Sequence, residues 1–340
     1  MIYYGLFFLY TNMYLLLSFI YRTRFFLYLV FLFSFFFSAS RYGAGSDYFS
    51  YMNIITTNYR EIELANLLII DAAKFFSSPQ IYFIVTSFVY IFSIFLALKR
   101  IEAFNFLTVF MFLFFAMSFI ASFDIIRQQL ASSILFLSFS YFLTRHKIRS
   151  LLLLIIAFYF HKSSLVFIPV FIYYLLFSKK EFYLFVYIFM PVLFFLFFDK
   201  LIFYISNKSG LYTHYFDVAI SDVGQKNFLI IFFFYLFLLF FSKLYKVHNA
   251  KFWIFFNIFF LVVLLQSSLV SYGYHLARIS YIFAPFVYPA VWFLYKEIPS
   301  YAKPIYLTTI FIFCLTTYFG SVYIGEENLQ QYQLFFLSDN

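Results

Sequence analysis

The sequence predicts an all-α polytopic integral membrane protein of about twelve transmembrane helices, and three observations predict it. Hydrophobic residues make up 65% of the 340 residues and charged ones only 11%, against roughly 25% charged in ordinary globular domains. So few charges cannot clothe a water-facing shell. The mean hydropathy is +0.92, and the apolar residues collect in runs near the ~20 residues a helix needs to cross a bilayer. Finally, the basic residues fall in short clusters between those runs, as membrane topology requires. Nucleic acid is therefore not the expected partner of a chain with a net charge of +9; membrane lipid is.

Taken in order, the candidate spans are 2–20, 25–40, 81–98, 104–122, 127–144, 182–204, 228–245, 252–271, 279–295 and 305–322. The piece 150–178 is interrupted by "HKSS" at 161–164. It reads as two short helices, about 150–160 and 163–177, that dip to the outer surface at His161. "RTRFFLYLVFLFSFFFSAS" has the look of a secretory signal, but a full apolar run precedes it, so a retained span is expected. No loop has room for a soluble domain, and residues 1–340 are expected to form a single transmembrane domain.

Alternating the loops puts 14 Lys/Arg and three acids on one side, and the remaining nine Lys/Arg and 11 acids on the other. The positive-inside rule makes the first side cytoplasmic and leaves both termini outside. Two long polar stretches, about 41–80 and 205–227, are then outer loops. "EIELANLLIIDAAKFF" in the first has the spacing of an amphipathic helix lying on the membrane, and "SNKSGLYTHYFDVAISDVGQKN" reads as a surface loop. Cys314 is the single cysteine, so no intrachain disulfide forms, and no Cys/His zinc spacing occurs.

Ionisable groups gather at the outer ends of four separate segments. Arg41 and Asp47 follow the second span, and Arg127 and Gln128 begin the fifth. His161 and Lys162 sit at the tip of the broken segment, and His275 and Arg278 precede 279–295. Charge at membrane depth is costly, which makes each of them a functional candidate. Gln128, Ala131 and Ser132 share a helical face and leave room beside Arg127 for a neighbouring helix or a ligand. His275, Arg278 and Ile282 line a second face, with Tyr274 and Tyr281 on either side of Arg278. Guanidinium groups around one cleft repel unless an anion bridges them, and their planar forks fit phosphate better than Lys does. A diphosphate is the natural partner, with helix starts at 127 and 279 adding their dipoles.

Plainer readings stand beside these. Arg41 also fits a cation snorkelling to the interface, Asp124 a local partner of Arg127, and His161 the cap of a helix break. Arg278 fits a cation–π anchor, Asp47 a turn-stabilising carboxylate, and Tyr48 and Tyr51 an interfacial aromatic belt rather than sugar contacts.

The same blocks resemble the EpsG family. "RYGAGSDYFSY" is similar to that family's Arg–x–x–x–Gly–x–Asp–Tyr–x–x–Tyr signature after the second span. "IRQQLASSILFLSFSYFLTRHKIRSLLLLIIAFYFHKSSLVFIPVFI" resembles its Arg–Gln span start, basic inner turn and later "fH–x–S" before a Pro-containing helix. "LARISYIFAPFVYP" resembles its late Arg–x–x–x–Tyr helix. The family belongs with the Wzy-type polymerases of O-antigen, capsule and exopolysaccharide. The resemblance implies a GT-C-like bundle in the bacterial inner membrane, acting at its outer, periplasmic or extracellular face without metal or other cofactor. Its implied reaction joins oligosaccharide repeat units carried on undecaprenyl diphosphate, and a chain-length regulator is a further candidate partner.

In that reaction Arg41, Arg127 and Arg278 would hold the diphosphate, and His161 or Asp47 would take the acceptor proton. Gln128, Lys162, His275, Tyr48, Tyr51 and Tyr281 are candidate contacts to diphosphate or sugar. The chain departs from the family at Ala44, where a β-branched residue is common, and in a tail without the Pro-Tyr ending. It has no Asp-x-Asp, so a nucleotide-sugar enzyme is not expected; Glu61 and Glu63 leave a metal-using transferase as an alternative. A flippase for lipid-linked oligosaccharide would want its cations midway across the bilayer, in two similar halves, and the sequence shows neither. An acyltransferase modifying surface sugars would use His161 but give the arginines no task.

Overall fold

Lipid offers a peptide backbone no hydrogen-bond partners, so apolar runs have to satisfy their polar groups internally, and here they do so as helices. A computed structural model describes residues 2–57, 61–115, 117–177, 181–198, 222–269, 278–323 and 331–337, with 200, 204, 208 and 329. The contacts divide the chain into two compact units, Met1–Ile168 with Leu307–Asn340, and Pro169–Tyr306.

The first unit contains α1 (Ile2–Tyr21), α2 (Phe25–Ala39), β1 (Arg41–Tyr42), α3 (Ser46–Thr56), α4 (Leu64–Phe75) and α5 (Gln80–Arg100). It continues with α6 (Phe106–Phe114), the helical turn α7 (Ala121–Asp124), α8 (Ile126–Leu143), α9 (Lys147–Phe160) and a 3-10 segment, Lys162–Phe167. Helix α2 packs on α1 and α5, α8 on α5 and α9, and α4 on α5 and α9. The break expected in 150–178 falls at His161, where the backbone turns extended (φ −160, ψ 122). Helix α4 covers the amphipathic stretch, docked on its neighbours with Leu64, Leu68 and Phe75 exposed.

The expected span 104–122 is corrected. Asn105 starts α6 through a capping box, its side chain accepting from the Leu107 and Thr108 amides, but the helix stops at Phe114 because Phe115 is extended. Irregular backbone is tolerated at such depth only inside protein, and the described residues from Leu107 to Ile126 are all buried. Gln129 Nε2 supplies one missing partner, donating to the Met117 carbonyl at 2.9 Å.

Helix α5 is about 30 Å long, and its two ends sort the unit's polar residues. At its start Gln80 Nε2 donates to the carbonyl of Ala39 and, at 3.3 Å, to that of Arg41. At its finish Arg100 donates to Thr144 Oγ1 at 2.6 Å and stacks 3.7 Å from the Tyr141 ring, beside Arg149. A short strand, β2 (Gln333–Leu334), pairs antiparallel with β1 at the first of these ends. Tyr332 secures it by stacking on Phe37 at 4.5 Å and donating to the Phe37 carbonyl at 2.7 Å.

The second unit holds α10 (Ile168–Phe177) from Pro169 onward, α11 (Leu184–Leu193) running on as a π turn (Phe194–Phe198), α12 (Asp222–Leu244) and α13 (Ala250–Leu269). A 3-10 segment (Arg278–Phe286) and α14 (Val287–Glu297) follow, and α15 (Lys303–Tyr323) begins there. Expected span 279–295 thus opens as 3-10 helix containing Pro285 and becomes α-helical only from Val287. Tyr187 organises the unit's polar interior: its hydroxyl donates to Asn257 Oδ1 at 2.6 Å, and its carbonyl accepts from Tyr235 at 3.1 Å. Among the described residues α1, α5, α13 and α15 are long and apolar enough to cross a bilayer, and several shorter helices are equally apolar. Most of the expected 205–227 loop lies outside the described residues.

Candidate functional site

The segment that follows α2 reaches its neighbours through Gly45. Its φ is +89, and a Cβ added there would lie 2.2 Å from the Phe123 carbonyl oxygen. Only glycine allows that approach. The contact sets up a reciprocal cap. The Ser46 amide donates to Asp124 Oδ1 at 3.0 Å, and the Ile126 amide donates to Asp47 Oδ2 at 2.9 Å. Each carboxylate thus meets the amide-rich start of the other segment's helix, where the dipole favours negative charge. The first turn of α8 is fixed beside α3, and Arg127 with it.

From Ile126 to Ser140 every residue of α8 is buried except Arg127. Helix α8 packs on α5 and α9, and Gln128, Ala131 and Ser132, the face expected to leave room for a helix or ligand, are buried. The guanidinium is directed to a carboxylate: Arg127 Nη1 donates to Glu63 Oε2 at 2.7 Å. The other Glu63 oxygen, Oε1, lies 3.1 Å from His161 Nδ1. One carboxylate therefore joins residues from three segments. The Glu63 side chain is 10% exposed, His161 26% and Arg127 36%, so the anion lies inside while both partners reach outward. Among the described residues His161 Nε2 has no partner.

The backbone explains why Glu63 is held there. It heads α4, its carbonyl accepting from the Asn66 and Leu67 amides at 3.0 and 3.1 Å. Buried Asn66 then donates through Nδ2 to the Phe160 carbonyl at 2.8 Å and accepts from the Tyr82 hydroxyl at 3.3 Å. Phe160 is the last residue of α9, so this bond fixes α4 against the residue before His161. Burial by itself would raise the Glu63 carboxyl. The hydrogen bond with His161 and the Arg127 charge outweigh that effect and hold it at about 2.

Other predicted residues are placed differently. Arg41 is 2% exposed, its guanidinium 4.5 Å from the Phe123 ring and 5.2 Å from Phe83, with Nη1 donating to Ser38 Oγ at 3.3 Å. Burial lowers its pKa to about 10, which keeps it cationic at neutral pH. It faces a cavity of about 10 Å³ edged by Ser38, Ser87 and Ser122, room for one water rather than a diphosphate. Tyr48 stacks on Phe83 and Tyr51 on Tyr82, both at 4.5 Å and both buried, so packing occupies their ring faces. Lys162 is exposed; Arg278 (half-buried) and Tyr281 (buried) lie in the second unit's 3-10 segment. His275 lies outside the described residues.

Sequence reasoning missed Glu63, considering it with Glu61 only as a minor metal-binding alternative; the structure gives its two oxygens to Arg127 and His161. The signal was charge balance: cations gathering at one end of a bundle call for an anion from a segment that reaches the same end.

The model of the EpsG family matches residues 24–334. No curated protein and no solved structure matches the chain.

Proposed function

Since the chain belongs to the EpsG family and is a multi-pass membrane protein by its apolar helices, we propose that it polymerises a surface polysaccharide. The donor is an oligosaccharide repeat unit on a polyprenyl diphosphate such as undecaprenyl diphosphate, and the acceptor is a second lipid-linked unit. The site faces outward from a bacterial inner membrane, because the opposite end of the same helices carries Lys99, Arg100, Arg145, Lys147 and Arg149. A GT-C-like bundle with about twelve crossings accommodates this reading.

The observation that carries it is the imidazole beside the guanidinium, both tied to Glu63 and both reaching outward. The acceptor hydroxyl oxygen attacks the donor's anomeric carbon and forms the new glycosidic bond. The bond from that carbon to the diphosphate oxygen breaks, and its electron pair leaves with the diphosphate. The hydroxyl proton passes to His161 Nε2, a general-base contribution of typically about 10²–10⁴-fold. Arg127 keeps further N–H donors for the leaving oxygens, whose charge grows as the bond breaks. His161 is preferred to Asp47 as base because Asp47 is engaged at the start of α8. Arg278 remains a further candidate for the diphosphate.

Gene deletion tests the reading, with surface polysaccharide resolved by size on a gel. Deletion is expected to leave single repeat units, and complementation with wild type, but not Arg127→Ala or His161→Ala, to restore long chains. Long chains from both variants at normal protein levels would remove these residues from the site.

A further inference from the structure

We propose that Glu63 is a positioning residue shared by both halves of the reaction: Oε1 holds His161 as base, and Oε2 holds Arg127 until the donor's diphosphate displaces it. The inference rests on the polymerase reading above and deepens it.

The geometry makes the two tasks unequal. Glu63 is held from behind, through the start of α4 and the Asn66 bond to Phe160, so the carboxylate has little freedom to leave. Arg127 is the most exposed member, on a long side chain with one of its five N–H groups spent on Glu63. A diphosphate carries more charge than a carboxylate and accepts a guanidinium fork at two oxygens, so it competes for Arg127 on favourable terms. Once Arg127 turns toward it, the buried carboxylate is left with His161 as its partner. A buried anion that loses one cation favours the appearance of another. The cation that can appear is the imidazolium, formed when His161 takes the acceptor proton. Donor arrival therefore readies the base, and without a donor the carboxylate's charge stays shared with Arg127.

The test separates binding from turnover, using protein in lipid nanodiscs, radiolabelled undecaprenyl diphosphate as the binding probe, and lipid-linked repeat units from cells lacking the gene as substrate. Glu63→Gln is expected to bind the probe about fivefold more tightly, because Arg127 is released from its ion pair. Polymerisation by the same variant is expected to fall about 100-fold. The tightening should vanish in the Glu63→Gln, Arg127→Ala double variant, since there is no cation left to release. Weaker or unchanged probe binding by Glu63→Gln, or near-normal polymerisation, overturns the proposal. If Glu63→Gln does not accumulate, Glu63→Asp serves: retracting the carboxylate by one methylene should cut polymerisation without weakening the probe, and equal loss of both contradicts the idea. Normal polymerisation by Arg127→Ala and His161→Ala would sink the polymerase site itself. Normal polymerisation by Glu63→Gln beside inactive Arg127 and His161 variants removes only Glu63.

Discussion

Replacing Gly45 by alanine tests how the site is assembled without touching any group in the chemistry. The new Cβ would sit 2.2 Å from the Phe123 carbonyl oxygen and 2.5 Å from its carbon, both backbone atoms that no side-chain rotation can move. Ordinary contact requires a retreat of roughly 1 Å. That retreat pulls the Ser46 amide from Asp124 and the Ile126 amide from Asp47, the two bonds that hold α3 to the start of α8. The strain of an alanine at φ +89 adds about 1–3 kcal/mol, and the overpacking a similar amount, so a loss of about 2–6 kcal/mol is expected. Against a typical total of 5–15 kcal/mol this is severe. Gly43→Ala, with φ +67 but no neighbour closer than 3.5 Å, should cost about 1 kcal/mol. Gly320→Ala, inside α15 with nothing within 4 Å, should cost nothing and gain up to about 1 kcal/mol. Thermal unfolding of the three purified proteins in detergent, beside polymer length in cells, reads the series. Wild-type stability and long chains in Gly45→Ala would refute the docking of this loop on Phe123.

The folded Glu63 carboxyl lies at about 2 against an ordinary 4.5, so its ionised cluster contributes in full above about pH 5 and is lost as pH falls through 4.5 toward 2. Thermal unfolding between pH 6 and pH 3 should show Glu63→Gln less sensitive to acid than wild type, by about 1–2 kcal/mol after allowing for solvent around Arg127. Asn66→Ala leaves the Phe160 carbonyl and Tyr82 hydroxyl short of a partner, so about 1–3 kcal/mol of stability and about tenfold in polymerisation should go. Asp47→Asn keeps an acceptor for the Ile126 amide and should polymerise within about threefold of wild type, whereas Asp47→Ala should lose about 1 kcal/mol of stability. An inactive Asp47→Asn protein would instead make Asp47 the base.

Hydropathy made the long helices legible, and "HKSS" placed the break at His161, because both depend on local composition. The break after Phe114 left no such mark: residues on both sides are apolar, and what permits the irregular backbone is burial beneath other helices and the reach of Gln129. Arg127 and His161 were readable as costly ionisable groups at one boundary. Their meeting at Glu63 was not, since the partners lie 64 and 98 residues away and only tertiary packing selects among the loop's acids. Arg41, Tyr48 and Tyr51 show the opposite limit. An interfacial cation or tyrosine has the same sequence signature whether it faces lipid headgroups or, as here, aromatic rings inside the protein.

Purified protein in liposomes, given lipid-linked repeat units as the only substrate, tests the central claim most directly. Wild type should convert them into a ladder of polymers while releasing one polyprenyl diphosphate per bond formed, and His161→Ala should do neither. A ladder of undiminished yield from His161→Ala, or no polymer from folded wild type, would contradict the account.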